Sequence, residues 1–162
     1  MSEATGIAFV GALNEDVLVP MAPPAGVQEL VLASGFEFRN YTESFVSDEV
    51  SGQILKLLSR QEVDVELGGS AFNSLRAAVP FAPHLRLGFV GVSGRRDLMN
   101  PHADFCREMG VETDFLSLSS KPPARSISFT HDGDRTLLTS LGANSEAAQL
   151  FSERLDLSLI HI

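Results

Sequence analysis

The chain has 162 residues, with 21 acidic against 12 basic side chains (net −9), 44% hydrophobic and 20% charged residues. That is enough apolar chain to bury one domain core and excludes global disorder, while the acidic balance argues against a nucleic-acid or anionic-membrane surface, which needs concentrated Lys and Arg. One cysteine excludes an internal disulfide framework, no apolar run approaches the roughly 20 residues of a bilayer span, and the first residues lack a basic region and an apolar signal core, so a cytoplasmic location is expected.

Residues 6–13, Gly-Ile-Ala-Phe-Val-Gly-Ala-Leu, form a nearly continuous apolar run followed by polar Asn14, Glu15 and Asp16. Such a run suits a strand covered on both faces, as in a parallel sheet. Val17–Val19 reads as a short strand, after which Pro20, Pro23 and Pro24 break the chain. Residues 36–41 alternate roughly with period two and predict an irregular stretch with one or two edge strands. Ser47 to Arg60 predicts a helix, capped by Ser47, with Asp48 and Glu49 in its first turn and Val50, Ile54, Leu57 and Leu58 on one face.

Val63 to Leu67 alternates strictly and predicts a half-buried strand that Gly68-Gly69 ends. A second helix follows, with Ala71, Leu75, Ala78 and Val79 as its stripe. Residues 85–92 predict another buried strand. Asn100-Pro101 opens a helix, with Asn as cap and Pro in the first turn, and Gly110 closes it. Residues 125–140 predict a hairpin turning at Asp132-Gly133. A turn at Gly142-Ala143-Asn144 precedes a short helix over 145–155. The alternation of strands and helices favours a partly parallel α/β layer, and no linker clearly splits the chain.

Several groups of residues carry chemistry. Asn14 and Asp16 supply an amide and a carboxylate that suit adjacent hydroxyls of a polyol, or else an Asx turn with solvated side chains. Gly68-Gly69-Ser70, followed by Asn73, leads from strand to helix. It is either a close approach to a ligand at free helix N–H groups or a plain tight turn. No G-x-G-x-x-G and no G-x-x-x-x-G-K-[ST] occurs, which excludes those two nucleotide-binding motifs. Arg95 and Arg96 read as a solvated surface pair. The four histidines show no metal-ligand spacing. His102 and Cys106 share one helix face, where a lone cysteine reads as a core residue. Asp132-Gly133-Asp134 is better explained by a hairpin turn than by cation binding.

The order of the blocks is more specific than any one of them. Gly-Ala-Leu-Asn-Glu-Asp (11–16), Gly-Gly-Ser-Ala-Phe-Asn (68–73), Gly-Phe-Val-Gly-Val-Ser-Gly (88–94), Gly-Val-Glu-Thr-Asp (110–114), Asp-Gly-Asp-Arg-Thr-Leu (132–137) and Gly-Ala-Asn (142–144) follow one another. Together they resemble the N-terminal half of the PfkB, or ribokinase-like, carbohydrate and nucleoside kinases, and the Gly-Gly-Ser-x-x-Asn form resembles the adenosine-kinase branch. The resemblance implies an α/β fold, a three-layer αβα sandwich with a small β lid, incomplete in this chain. It implies ATP- and Mg²⁺-dependent phosphoryl transfer to the CH₂OH of a sugar or nucleoside in the full-length enzyme. Carried over residue by residue, the substrate-binding set is Asp16, Gly68, Gly69 and Asn73, with Asn14 in support. A homodimer through the lid strands is a further expectation.

The sequence departs from the family in two places. Arg95 and Arg96 precede Asp97 where the family places an acidic residue soon after its second glycine. No Gly-Ala-Gly-Asp block, the family's site of the catalytic aspartate and backbone anion hole, occurs in the chain. The expectation is therefore a substrate-binding part over 1–156 that is inactive alone. Residues 157–162 are expected to be either the start of a next strand, cut short, or translated adapter read-through. A non-catalytic sugar- or nucleoside-binding protein and a plain α/β interaction domain are the other two readings of the same residues.

Overall fold

In the computed structural model, which describes residues 6–154, the first apolar run stops sooner than its composition suggests. The elements in chain order are β1 (Gly6–Val10), β2 (Asn14–Val19), α1 (Ala25–Ala33), β3 (Glu43–Phe45), α2 (Asp48–Leu57), β4 (Asp64–Gly68), α3 (Ser70–Ala78), β5 (Arg86–Ser93), α4 (Pro101–Glu108), β6 (Leu116–Leu118), β7 (Ala124–His131), β8 (Asp134–Ser140) and α5 (Ala147–Arg154). Asn14 and Asp16 are thus inside a second strand, which belongs to a different sheet from the first. The chain divides into two units, the first comprising residues 1–13, 68–123 and 143–162 and the second 14–67 and 124–142.

The first unit is built on a parallel sheet in the order β1-β5-β6. Alternation along β5 sends Phe89 to one face and Val90 and Val92 to the other. Phe89 meets Phe72 of α3 edge-on at 6.0 Å, and Phe72 also meets His102 of α4 at 4.8 Å. On the other face Val92 packs with Ala143, Ala147 and Leu150, the last two from α5. Helices therefore cover both faces of β5, which is the αβα layering expected. His102 and Cys106 do share the buried face of α4. Asn100 does not cap α4 with its side chain; its Nδ2 donates instead to the carbonyls of Ser93 and Gly94, at 3.2 and 3.0 Å.

The second unit is a mixed five-stranded sheet in the order β3-β8-β7-β2-β4, with its own core. Val17 and Val19 of β2, Ile127 and Phe129 of β7 and Leu138 of β8 pack against Val27 and Val31 of α1 and Val50 and Ile54 of α2. The Ser47 hydroxyl accepts from the Val50 N–H at 3.2 Å, the expected cap of α2. Asp132 (φ 53°) and Gly133 (φ 86°) make the two-residue hairpin turn. The unit also carries two helices beside its strands. The proline cluster hides the first of these: Pro23 and Pro24 stand just before Ala25, where a helix start tolerates proline, so breaker residues mark a beginning. Residues 36–41 form no strand; the short edge strand lies at Glu43–Phe45. β4 has the expected alternation, yet Asp64, Val65 and Glu66 are all exposed, as suits a strand at the sheet's edge. Among the described residues no helix is long and apolar enough to cross a membrane. The tail at 157–162 lies outside the described residues.

Candidate functional site

In the first unit the Gly68-Gly69 turn is set by backbone contact. Gly69 stands at φ 108°, and a side chain there would collide with the Ala12 carbonyl oxygen. Two further approaches tighten the same region: a Cβ on Gly11 would lie 2.7 Å from that of Ala71, and one on Gly91 would lie 2.7 Å from the Gly11 carbonyl oxygen. Residues 11–13, the start of α3 and β5 therefore meet with no room for side chains between them. Asn144 clamps this corner from a third direction. Its Oδ1 accepts from the Leu13 N–H at 3.2 Å, and its Nδ2 donates to the Leu13 carbonyl at 3.3 Å. The Asn73 N–H makes the first intrahelical bond of α3, to the Gly69 carbonyl at 2.8 Å. The N–H groups of Ser70, Ala71 and Phe72 precede that bond, so they lie outside the ladder, and Gly69 has no side chain to cap them. The Asn73 side chain is exposed, while Phe72 and Leu75 hold the helix to its core.

In the second unit β2 divides its side chains between two faces. Glu15, Val17 and Val19 turn towards the helices and are buried, whereas Asn14 and Asp16 are partly buried on the opposite face. Registered pairs extend that face across the sheet as a row, Asp16–Ser126–Thr139–Phe45. The next row is Leu18–Ser128–Leu137–Glu43, and the Thr139 hydroxyl donates to the Glu43 carboxylate at 2.7 Å. Burial, and secondarily Glu66, pushes the Asp16 carboxyl above its ordinary value. A partly desolvated carboxylate among hydroxyls is a strong acceptor for ligand O–H groups.

Of the five expected site residues, Asn14 and Asp16 share one sheet face of the second unit, while Gly68, Gly69 and Asn73 belong to the first. The sequence reading missed two supports. Glu15 is only 2% exposed and is paired through Oε2 with Arg125 Nε at 3.1 Å, directly across the β2–β7 register. Asn144 was read only as part of a turn. The Gly-Ala-Asn block drew attention to it, but its partner Leu13 lies 131 residues away. Burial pushes the Cys106 thiol up to about 11, against the lowering effect of Arg107, which fits a core residue and not a nucleophile. Among the described residues no group of three or more His, Cys, Asp and Glu side chains comes together as a metal cage.

No protein-family model and no curated protein matches the chain. Solved structures do. The apo adenosine kinase of Trypanosoma brucei brucei superposes with a TM-score of 0.64 at 16% identity, over 98% of this chain and 46% of that one. The adenosine kinase from Schistosoma mansoni in complex with 2-fluoroadenosine gives 0.63 at 13% identity, over 98% and 45%. A probable sugar kinase from Rhizobium etli CFN 42 gives 0.55 at 20% identity, over 88% and 41%. The chain has the ribokinase-like fold. It spans less than half the length of each of these kinases, so the kinase resemblance read from the sequence blocks holds at the level of fold.

Proposed function

We propose that the chain is the substrate-binding part of a kinase that transfers the terminal phosphoryl group of ATP to the CH₂OH of a sugar or nucleoside. The observation that carries this is the setting of Asp16: a partly buried carboxylate on the hydroxyl-lined face of the second unit, in a chain with the fold of adenosine and sugar kinases. In this reading Asp16 accepts from the sugar hydroxyls, with Asn14 in support on the same face of the second unit. The edge strands β3 and β4 of the second unit are where a second copy would pair. The adenosine-kinase branch is favoured by the Gly-Gly-Ser-x-x-Asn block and by the several adenosine kinases among the structural neighbours.

Magnesium-ATP belongs to the full-length enzyme in this proposal. With no Gly-Ala-Gly-Asp block in the chain, the general base and the groups that stabilise developing charge are missing, and phosphoryl transfer depends on both. The test is a calorimetric titration of the purified chain with adenosine and with ribose, repeated on Asp16→Asn, alongside a phosphorylation assay. Saturable binding that Asp16→Asn weakens at least tenfold supports the reading, since one charge-assisted hydrogen bond is worth about 1.5–3 kcal/mol. Binding indifferent to Asp16 overturns the site, and ATP-dependent phosphorylation by this chain overturns its inactivity.

A further inference from the structure

The second unit contains a cavity that the kinase reading leaves unused. It has a volume of about 130 Å³. Phe129 and Thr136, respectively 1% and 2% exposed, line it from the sheet side. By strand alternation both lie on the helix-covered side, opposite the face that carries Asp16. Asn40, Tyr41, His131 and Asp134 complete most of the wall.

Tyr41 is the unusual member. It is 64% exposed, and its backbone stands at φ 62°, the left-handed region where a bulky side chain is strained. In this conformation the Tyr41 N–H donates to the hydroxyl of buried Thr136 at 2.9 Å. Mostly exposed, the ring gains little from burial to offset this. Strain of this kind is kept where the surroundings over-determine it, and it clusters at ligand clamps.

The lining also has a sign. Asp134 contributes a carboxylate, and no lysine or arginine lines the cavity among the described residues. Arg39, two residues from Tyr41, is paired with Glu37 at 2.9 Å, and Arg135 alternates onto the other face of the sheet. His131 Nε2 lies 3.2 Å from the Asp132 carboxylate. The whole second unit carries twelve acidic and five basic side chains, a net of −7. Gln28, also on the wall, gives its amide N–H to the Pro23 carbonyl at 3.1 Å, so its oxygen is left as an acceptor.

We propose that this cavity binds a small organic cation, a primary ammonium on a short apolar stem. The ammonium sits against Asp134, the Tyr41 ring and the amide oxygens, and the stem lies on Phe129; a cation held to an aromatic face is favourable by itself. A cavity of about 150 Å³ accommodates benzene, so a ligand of up to about six heavy atoms fits. Two sources share this chemistry: a free amine, or the lysine side chain of a partner protein.

The test is a ligand titration of the 162-residue chain followed by NMR. n-Butylammonium is expected to bind saturably, with shifts confined to residues 22–41 and 128–136, and 1-pentanol, of similar size and uncharged, is expected to bind roughly five- to tenfold more weakly. Asp134→Asn should abolish that preference. Tyr41→Gly removes the ring while relaxing the backbone, so its Tm should hold or rise by about 2–4 °C as binding is lost. Nα-acetyl-lysine amide provides the other arm: binding equal to that of butylammonium points to a partner's lysine, and exclusion of it points to a free amine. Equal binding of amine and alcohol, an unchanged preference in Asp134→Asn, or full binding by a folded Tyr41→Gly variant would overturn the proposal.

Discussion

Alanine in place of glycine has opposite consequences at two positions of this chain. Gly69 stands at φ 108°, and a Cβ there meets the Ala12 carbonyl oxygen. Gly52 lies within α2, and a Cβ there meets nothing within 4 Å. For Gly69→Ala the backbone strain alone is about 1–3 kcal/mol. Displacing a packed carbonyl adds about 1–3 kcal/mol, as overpacking does, so a loss of about 3 kcal/mol is expected. With a urea slope near 2 kcal/mol/M, the denaturation midpoint should fall by about 1.5 M. Gly52→Ala should instead gain about 0.5–1 kcal/mol by restricting the unfolded chain and favouring the helix, raising the midpoint by about 0.3–0.5 M. The sole tyrosine, Tyr41, lies in the second unit and the sole cysteine, Cys106, in the first. Tyrosine emission and thiol accessibility therefore report the units separately. Gly69→Ala should destabilise the cysteine-reported transition, and Gly52→Ala should stabilise the tyrosine-reported one. A Gly69→Ala midpoint within about 0.2 M of the parent, which is under 0.5 kcal/mol, would refute the close-approach argument.

Other outcomes follow from the same geometry. Arg125→Ala leaves Glu15 buried without its cation and should cost about 3–5 kcal/mol, whereas replacing both partners with apolar residues should recover most of that loss in urea titrations. Asp16 has its carboxyl raised in the folded state. Its ionisation therefore opposes folding, and stability tied to the protonated form is lost as pH rises through the raised value. Asp16→Asn should thus have a higher Tm than the parent at neutral pH, with the gap closing as pH falls below the ordinary 3.8; a gap that does not change with pH counts against this. Cys106, 1% exposed with its thiol pushed up to about 11, should react with iodoacetamide at neutral pH only as fast as the first unit opens, and rapid alkylation of the folded chain would contradict its burial.

Much of the fold was legible because local rules dominate at α2, β5, the β7–β8 hairpin and the start of α3. Ser47 capped the helix it was expected to cap, and Asp132-Gly133 turned where a positive φ is cheap. Three things were not legible. The junction of β1 and β2 lies within one apolar run, and composition cannot show that residues on either side of Leu13 join different sheets. The two units were invisible because the chain passes between them at short junctions with no linker composition, at 13/14, 67/68, 123/124 and 142/143. The three-residue strands β3 and β6 are too short for any period to register.

The candidate site shows a similar division, and the reason is physical. Asp16 and Gly69 could be picked out because each residue type is special by itself: a carboxylate beside an apolar run, and a residue free of Cβ constraints at a strand-to-helix turn. Asn144 and Arg125 could not, since their roles exist only through partners 131 and 110 residues away. Tyr41 belongs to neither group. Nothing in Arg-Asn-Tyr-Thr announces a left-handed tyrosine, and the propensities of the segment argue for extended backbone. The conformation is accompanied by a hydrogen bond from the Tyr41 N–H to the Thr136 hydroxyl, which a hairpin 95 residues later brings to it. A left-handed bulky residue that stays mostly exposed is a conflict between local and global rules of the kind found at functional or strained sites, and the cavity proposed as a cation site lies beside it.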